Sequence, residues 1–362
     1  MQTSIPAFLM RGGSSKGLYF RADELPADAV QRDRVLVAAM GSDARQIDGA
    51  GGAHPLTSKV AIVSRSHEAE ADVAYLFAQI VVGEGRVDTT PNCGNMLAAV
   101  GPFAIETGLV PIQGETTPVR VRMLNTGNLC ELLIRTPNGA VAYEGDTHID
   151  GVPGTAAPIV CNYLDVAGSV CGSLLPTGNV LDEVGGVPVT CVDNGMPVVV
   201  LRAADFGITG DETPKELDEN TELKRRIEAV RLEIGPRMNL GDVRGKVVPK
   251  MSLISAPRAG GHVSTRTFIP HDCHAAIGVL GAVSVATACI LPGSVAAGIA
   301  QVPPGNVKRM SVEHPSGEFS VTLEVGGTQD RPTVLKAGLL RTARLIMKGE
   351  VQIPASVWRG GR

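Results

Sequence analysis

A cysteine in a short polar turn is the residue best placed for chemistry in this sequence. Residues 90–96 read TPNCGNM and stand between a predicted strand and a run of small apolar residues that predicts a helix. The first free N–H groups of such a helix favour a bound carboxylate or a thiolate. We therefore expect Asn92, Gly94 and Asn95 to bind an anionic substrate, and Cys93 to transfer a proton. The alternative is a buried, inert cysteine that serves as a small hydrophobic residue.

A lysine at the mouth of an apolar strand is the second candidate. Lys59 directly precedes residues 60–63, which predict a buried strand. A lysine that lies in a partly buried position near other cations can serve as a general base. The alternative is a side chain that follows the strand end and keeps its ammonium group in water.

A donor-rich loop near the start of the chain is suited to hold a carboxylate. Residues 11–17 read RGGSSKG and offer the cations Arg11 and Lys16, the hydroxyl groups of Ser14 and Ser15, and several backbone N–H groups. The loop matches the G-x-S-x-G pattern, but a nucleophile elbow needs a preceding sheet, and none fits before it. The glycine spacing of a P-loop is also missing. The alternative is a solvated surface turn.

A comparable turn occurs in the second half of the chain. Residues 270–274 read PHDCH, and they stand between a predicted strand that contains Arg266 and a predicted helix over residues 275–288. Arg266 is suited to bind a carboxylate through two parallel hydrogen bonds, and His274 to add a further substrate contact. The histidines and Cys273 lack the spacing and the additional ligands of a zinc site, so no metal is expected.

The elements that position these turns occur twice in the same order. Each half contains a hairpin, two further strands, a polar turn and a helix of small residues. Helices that are apolar nearly all round are wholly buried. We therefore predict an α+β fold of two pseudo-symmetric domains, each a mostly antiparallel β-barrel around a central helix. The Gly-, Ser- and Pro-rich residues 166–186 contain the boundary between domains 1–183 and 184–362.

The composition argues against several classes of protein. Hydrophobic residues make up 44% of the 362 residues and aromatic residues only 3%, so the core must be mainly aliphatic. The formal net charge is −4 without a basic block, which argues against nucleic acid as a partner. Apolar runs are too short to span a membrane, and the first residues lack the features of a signal peptide. Seven cysteines without a C-x-x-C pair predict a reduced, cytoplasmic protein.

Taken together, the motifs resemble those of the PrpF family, a branch of the diaminopimelate epimerase-like proteins, and the chain is identified as a member. Each motif alone is unspecific, but the combination covers essentially the whole chain. The motifs are the loop at 11–17, Thr57-Ser58-Lys59-Val60, Asn92-Cys93-Gly94-Asn95, His274-Ala275-Ala276 with Gly281-Ala282, and Arg341-Thr342-Ala343-Arg344 with Gly349 and Pro354.

The resemblance implies an isomerase that needs no cofactor. Its substrate would be an unsaturated oxo-tricarboxylate, 4-oxalomesaconate of bacterial gallate breakdown, in which a proton moves by keto–enol tautomerisation or a 1,3-allylic shift. The family's catalytic lysine falls on Lys59 and its active-site cysteine on Cys93, which we assign as base and partner acid. The family also implies a homodimer, and a last strand, at about residues 343–362, that crosses back to the first domain.

Three other functions fit the same residues. Relatives in the family isomerise methylaconitate or methylitaconate. A racemase or epimerase with a pair of cysteines would use Cys93 and Cys273, although the residues around Cys273 depart from the epimerase turn. A non-catalytic carboxylate-binding protein on the same scaffold is the third reading.

Overall fold

The computed structural model describes residues 1–90, 92–164, 166–328 and 331–360. They form a mixed α/β structure with a large sheet and few helices. The chain divides into two units, Met1–Leu164 with Leu340–Arg362, and Asp165–Leu339. The predicted boundary after residue 183 therefore lies too far along the chain. The Gly-rich loop that precedes it belongs to the second unit because its backbone N–H groups bind the carbonyl and carboxylate oxygens of Asp193.

Within the described residues, the first unit contains two α-helices, and most of its strands lie before residue 165. Its elements are β1 (Gln2–Gly12), β2 (Ser15–Arg21), α1 (Ala29–Met40), β3 (Lys59–Arg65), β4 (Val73–Val81), β5 (Arg86–Asp88), α2 (Gly94–Glu106), β6 (Thr116–Met123), β7 (Leu129–Arg135) and β8 (Pro158–Leu164). The last strand, β16 (Arg331–Pro354), enters this unit at residue 340.

The strands of the first unit follow the order β1-β2-β3-β4-β6-β7-β8-β16, and β1 pairs in addition with β16. The pairs β2–β3 and β4–β6 are parallel, whereas β1–β2, β3–β4, β6–β7 and β7–β8 are antiparallel. Each parallel pair needs a crossover, and the crossover from β4 to β6 contains α2.

The two helices of this unit pack on opposite faces of its sheet. Val60 and Ile62 of β3 belong to the hydrophobic cluster that includes α1. On the other face, the Tyr19 hydroxyl of β2 donates a hydrogen bond of 2.7 Å to the carbonyl oxygen of Met96 in α2. Because side chains alternate along a strand, every second residue of β2, β3 and β4 is directed toward α2. Residues 96–105 of α2 are buried, as its small apolar side chains predict.

The second unit repeats this succession of strand pairs. Its elements are β9 (Asp182–Val184), β10 (Val187–Asp193), β11 (Pro197–Arg202), α3 (Pro214–Glu219), α4 (Thr221–Arg237), β12 (Lys250–Ser255), β13 (Val263–Phe268), α5 (Val279–Ile290), β14 (Val307–His314), β15 (Gly317–Thr328) and the start of β16. The pairs β11–β12 and β13–β14 are parallel, and β10–β11, β12–β13 and β14–β15 are antiparallel. Across the described residues, no helix is both long and apolar enough to traverse a bilayer.

The second small-residue helix begins later than predicted. Helix α5 starts at Val279 with Gly278 as its N-cap, whereas the sequence pattern places its start at residue 275. The backbone N–H of Ala276 donates a hydrogen bond of 2.8 Å to Nδ1 of His274, which holds this stretch in a turn. The turn around Cys273 is therefore separated from the helix that follows it.

Candidate active site

Cys93 is the N-cap residue of helix α2. Its backbone is extended, with φ −136° and ψ 99°, and only 8% of its surface is exposed to solvent. The Cys93 N–H donates to Oδ1 of Asn92 at 2.8 Å, which bends the chain into the helix. The predicted turn followed by a helix is therefore confirmed, although Pro91 of that turn lies outside the described residues. The first turn of α2 contains no acidic side chain and its N-cap makes no side-chain hydrogen bond, so neither of these groups neutralises its positive end.

The hairpin between β1 and β2 lies directly on this first turn of α2. Asn95 Nδ2 donates to the Ser14 hydroxyl at 3.1 Å. A Cβ atom on Gly12 would lie 2.5 Å from the carbonyl oxygen of Asn95, and one on Gly13 would collide with the Asn95 side chain. The two glycines therefore allow the hairpin and the helix to approach, which brings Ser14 and Asn95 together as the sequence predicts.

Ser15 presents a buried hydroxyl group on the side of its strand that faces α2. It pairs with Gly12 across the hairpin, and it lies on the same strand face as Gly17 and Tyr19. The residue is 1% exposed, and in the described part of the chain its Oγ has no hydrogen-bond partner. A buried hydroxyl without a partner carries a desolvation cost, which a bound oxygen ligand would offset.

Arg11 and Lys16 pair with each other across the hairpin and start from the opposite face of their strands. Nη1 of Arg11 donates to the carbonyl of Gly13 at 2.8 Å and to the carbonyl and hydroxyl oxygens of Thr342 at 3.0 and 2.9 Å. Burial, and then the nearby charge of Arg344, lower the pKa of Arg11. This arginine thus holds the hairpin turn, and binding of substrate by Arg11 and Lys16 stays a prediction.

Lys59 is buried and is held by neutral groups. The residue is 8% exposed, and its Nζ donates to Oε1 of Gln79 at 3.0 Å. The same ammonium lies 4.9 Å from the centroid of the Phe77 ring, a cation–π contact. The Gln79 side chain is fixed in turn because its Nε2 donates to the carbonyl of Ser58 at 2.9 Å. No carboxylate of the described chain forms an ion pair with Lys59. Gln79 and Phe77 therefore fix the position of its Nζ atom without a negatively charged partner.

The strands connect Lys59 to the helix end at Cys93. Lys59 pairs with Gly17 of β2. A Cβ atom added to Gly17 would collide with the Lys59 carbonyl and would lie 3.0 Å from Cε of Met96. On the other side of Lys59, strand β4 contains Phe77 and, two residues before it, Tyr75. The Tyr75 hydroxyl donates a hydrogen bond of 3.3 Å to the carbonyl of Cys93. Lys59 and Tyr75, which binds the Cys93 carbonyl, therefore lie on the same side of the sheet, the side directed toward α2.

Two buried tyrosines lie on the same side of the sheet as Lys59, and the sequence analysis did not identify them. Tyr75 binds the carbonyl of Cys93, and Tyr19 binds the carbonyl of Met96 in the next turn of α2. Burial, and then the nearby thiol of Cys93, raise the pKa of both phenols well above the usual value, so both remain neutral hydrogen-bond donors. Their signal in the sequence is their rarity, since the chain contains four tyrosines.

In the second unit, the predicted ligands Arg266 and His274 have partners of their own. Arg266 donates through Nε to the carbonyl of Glu212 at 2.6 Å and through Nη1 to the carbonyl of Thr265 at 2.9 Å. Burial lowers the pKa of this guanidinium. His274 accepts the Ala276 N–H at Nδ1, so the neutral ring carries its proton on Nε2. Contact of either residue with substrate stays a prediction.

Cys273 does not match Cys93 in its surroundings. It pairs with Phe268 in an isolated bridge, and both residues belong to the hydrophobic cluster that includes helix α4. Its N–H donates to Oδ1 of Asp218 at 2.6 Å, and burial, followed by this carboxylate, raises the pKa of its thiol to about 11. The prediction that a helix begins at residue 275, directly after the Cys273 turn, is wrong, because α5 starts at Val279. Among the described residues, no three metal-ligating side chains form a group.

Comparison with known proteins shows the family of this chain. A family model described as PrpF protein matches residues 2–354. The chain is 59% identical to the 4-oxalomesaconate tautomerase of Pseudomonas putida (strain KT2440), over 99% of both chains. It is 58% identical to the (4E)-oxalomesaconate Delta-isomerase of Novosphingobium sp. (strain KA1), over 96% of this chain and 97% of the relative. The crystal structure of methylitaconate-delta-isomerase aligns with a TM-score of 0.87 at 32% identity and covers 98% of this chain and 97% of that chain.

The matched region extends from the first strand to the end of the last. It includes the hairpin at residues 12–15, the strand that begins with Lys59, and the helix capped by Cys93. Sequence motifs, strand pairing and these comparisons lead to the same conclusion, and the chain belongs to the PrpF family.

Proposed function

We propose that this protein is an isomerase that moves a proton in 4-oxalomesaconate without a cofactor, in the breakdown of gallate. The proposal is supported by the names of the two relatives that share more than half of its residues. The observation that carries it is the buried amine of Lys59, which has neutral partners only and lies on the face of the sheet that is directed toward α2, whose N-terminus has no side-chain cap. Such an amine and such a helix end are suited to proton transfer beside an anion.

The chemistry requires a base, a stabilised enolate and an acid. Removal of a proton next to a carbonyl group, or at the vinylogous position, leaves a dienolate whose negative charge must be stabilised. In the proposed mechanism, Lys59 takes the proton, and Cys93 or water returns one at the other carbon. The N–H groups of the first turn of α2, together with the Ser15 hydroxyl, bind the developing oxyanion or a carboxylate. Ser14, Asn92, Gly94 and Asn95 are proposed to hold the remaining substrate oxygens.

The architecture that we propose for each unit is a β-barrel around a central helix. In the first unit it is supported by the pairing of β1 with both β2 and β16, and in the second by the same alternation of parallel and antiparallel pairs. Homodimer formation and cytoplasmic location stay predictions.

The comparisons rank the alternative substrates. The structural relative that acts on methylitaconate shares 32% of its residues with this chain, against 59% and 58% for the two that act on oxalomesaconate. A racemase that uses a cysteine pair is disfavoured because Cys273 packs in the cluster of helix α4 and does not cap α5.

The experiment follows candidate acids by proton NMR in deuterated water with the purified protein. We expect deuterium to enter 4-oxalomesaconate faster than methylitaconate or methylaconitate. Lys59→Met should reduce this rate by about a hundred- to ten-thousandfold, the usual contribution of a general base. Lys215→Met is the matched control, because the Lys215 side chain is 84% exposed. Near-normal exchange by Lys59→Met would remove the lysine from the mechanism, and no exchange with any acid would favour the carboxylate-binding protein instead.

A further inference from the structure

A second lysine occupies in the second unit the strand position that Lys59 holds in the first. Lys59 is the first residue of β3 and pairs in parallel with Gly17, on the second strand of the preceding hairpin. Lys250 is the first residue of β12 and pairs in parallel with Val198, again on the second strand of a hairpin. In both units the strand continues in antiparallel pairing with the next one. The position is thus equivalent in topology.

Lys250 also starts from the equivalent face of its strand. Met251 and Leu253 belong to the hydrophobic cluster that includes helix α4, so Lys250 and Ser252 are directed to the other face. That face is polar at this end of the sheet, since the Ser252 and Thr267 hydroxyl groups lie 2.8 Å apart in a buried hydrogen bond. In the first unit, Lys59 likewise lies on the face opposite the cluster of helix α1.

His274 lies on the same side as Lys250. Its backbone N–H donates to the carbonyl of Thr267 at 2.8 Å, next to the bridge between Cys273 and Phe268. Because the side chains of that bridge belong to the cluster of helix α4, His274 is directed to the face of Lys250 and Thr267. Its Nδ1 is occupied by the Ala276 N–H, which leaves Nε2–H as a donor.

The acidic residues around this position are engaged elsewhere. Glu228 binds the buried guanidinium of Arg231 through both carboxylate oxygens, at 2.6 and 2.8 Å. Asp218 accepts the Cys273 N–H, and Asp272 pairs with Lys224 at 3.0 Å. In the described chain, Lys250 itself is half-buried and forms no ion pair or side-chain hydrogen bond.

The charges near Lys250 are positive as well. Burial, and then the charge of Arg231, lower the pKa of the Lys250 amine. Burial, and then the charge of Lys250, lower the pKa of His274. A half-buried amine that is close to a buried guanidinium and has no acidic partner in the described chain is suited to bind an anion.

We propose that Lys250 and His274 form a carboxylate-binding site in the second unit, with Nζ of the lysine and Nε2 of the histidine as its donors. The ligand is a small organic di- or tricarboxylate. The site itself is argued from the structure, and only the identification of the ligand as 4-oxalomesaconate rests on the proposed function. The site binds without chemistry, so it can be tested with an acid that does not react.

Tricarballylate, a saturated tricarboxylate, is the probe. Reductive methylation of the wild-type protein, followed by peptide mapping, should modify Lys250, and tricarballylate should slow this modification at least about fivefold. The exposed Lys215 should be modified at the same rate with and without the acid. Equal modification of Lys250 in the presence and absence of tricarballylate would overturn the proposal, and this result does not depend on how any variant folds.

Calorimetric titration of variants with tricarballylate provides the second test. Lys250→Gln should weaken binding by about ten- to a hundredfold, as expected for the loss of one charge-assisted hydrogen bond, and Lys250→Arg by much less. His274→Asn should weaken binding less than Lys250→Gln, while His148→Asn, an exposed histidine of the first unit, should leave it unchanged. Unaltered affinity of Lys250→Gln would contradict the proposal.

Turnover separates this proposal from the proposed function. If the wild-type protein binds tricarballylate through Lys250 but does not exchange protons in 4-oxalomesaconate, the proposed function fails and the carboxylate site stands. If exchange is normal and Lys250 is neither protected nor required for binding, the site fails and the proposed function stands.

Discussion

The phenol of Tyr75 and the carbonyl of Cys93 form a buried hydrogen bond of 3.3 Å across eighteen residues of sequence. Through this bond, strand β4, which also supplies the Phe77 and Gln79 contacts of Lys59, holds the N-cap of helix α2. One strand thus fixes both a lysine ammonium and the helix end that carries a thiol. This coupling determines the geometry on which proton transfer between the two groups would depend.

Tyr75→Phe should therefore affect both stability and catalysis. The change leaves the Cys93 carbonyl without its partner, which should lower the free energy of unfolding by about 1–3 kcal/mol. We also expect kcat to fall by about tenfold with little change in KM, because the helix end loses one of its constraints. Tyr143→Phe is the control, since the buried Tyr143 hydroxyl has no partner in the described chain. Equal effects of the two substitutions in urea unfolding and in turnover would contradict this role of Tyr75.

The two cysteines that the sequence places in similar turns should differ in function. Cys93→Ala should lower kcat by about a hundredfold or more if the thiol transfers a proton. Cys273→Ala should lower stability through the cavity that it leaves in the cluster of helix α4, and leave kcat at its wild-type value. Steady-state kinetics and thermal unfolding of both variants separate these effects. Inactive Cys273→Ala with normal stability would restore the cysteine-pair mechanism.

Gly13 is required by the contact between the hairpin and helix α2. Its φ of +52° disfavours a side chain, and a Cβ atom there would collide with the Asn95 side chain. Gly127, at φ +75°, has no atom within 4 Å of the position of a Cβ, so Gly127→Ala measures backbone strain alone. We expect about 1 kcal/mol of destabilisation for Gly127→Ala and at least twice that for Gly13→Ala. Gly13→Ala should also raise KM. Steady-state kinetics measure this change, and chemical unfolding of both variants measures the loss of stability.

Alkaline pH should unfold the protein together with ionisation of its tyrosines. The chain has four tyrosines, and burial raises the pKa of each above the usual value of about 10. The folded state holds these protons more tightly than the unfolded state, so the stabilisation is complete below pH 10 and declines as pH rises above it. Phenolate absorbance near 295 nm should therefore appear in the same pH range as the loss of far-UV circular dichroism. Ionisation of several tyrosines in the folded protein would contradict their burial.

Local patterns in the sequence determined much of the candidate site. A cysteine before a run of small residues predicted the N-cap of α2, and a lysine before an apolar run predicted the start of β3. Both signals act over a few residues, where strand alternation and helix capping operate. The repeated order of elements likewise predicted the repeated pairing of the two units.

Tertiary structure decided what these local patterns leave open. The partners of Lys59 lie about twenty residues away, and Arg11 is held by Thr342, at the far end of the chain. The start of α5 was displaced because the His274 ring captures a backbone N–H and ends the local helical pattern. Which strand face Cys273 occupies depends on its pairing with Phe268. The sequence alone therefore determined which residues can do chemistry. Long-range pairing decided which of them share a strand face and which are bound by other parts of the protein. The reason is that contacts between distant segments set the hydrogen-bond register and the burial of side chains.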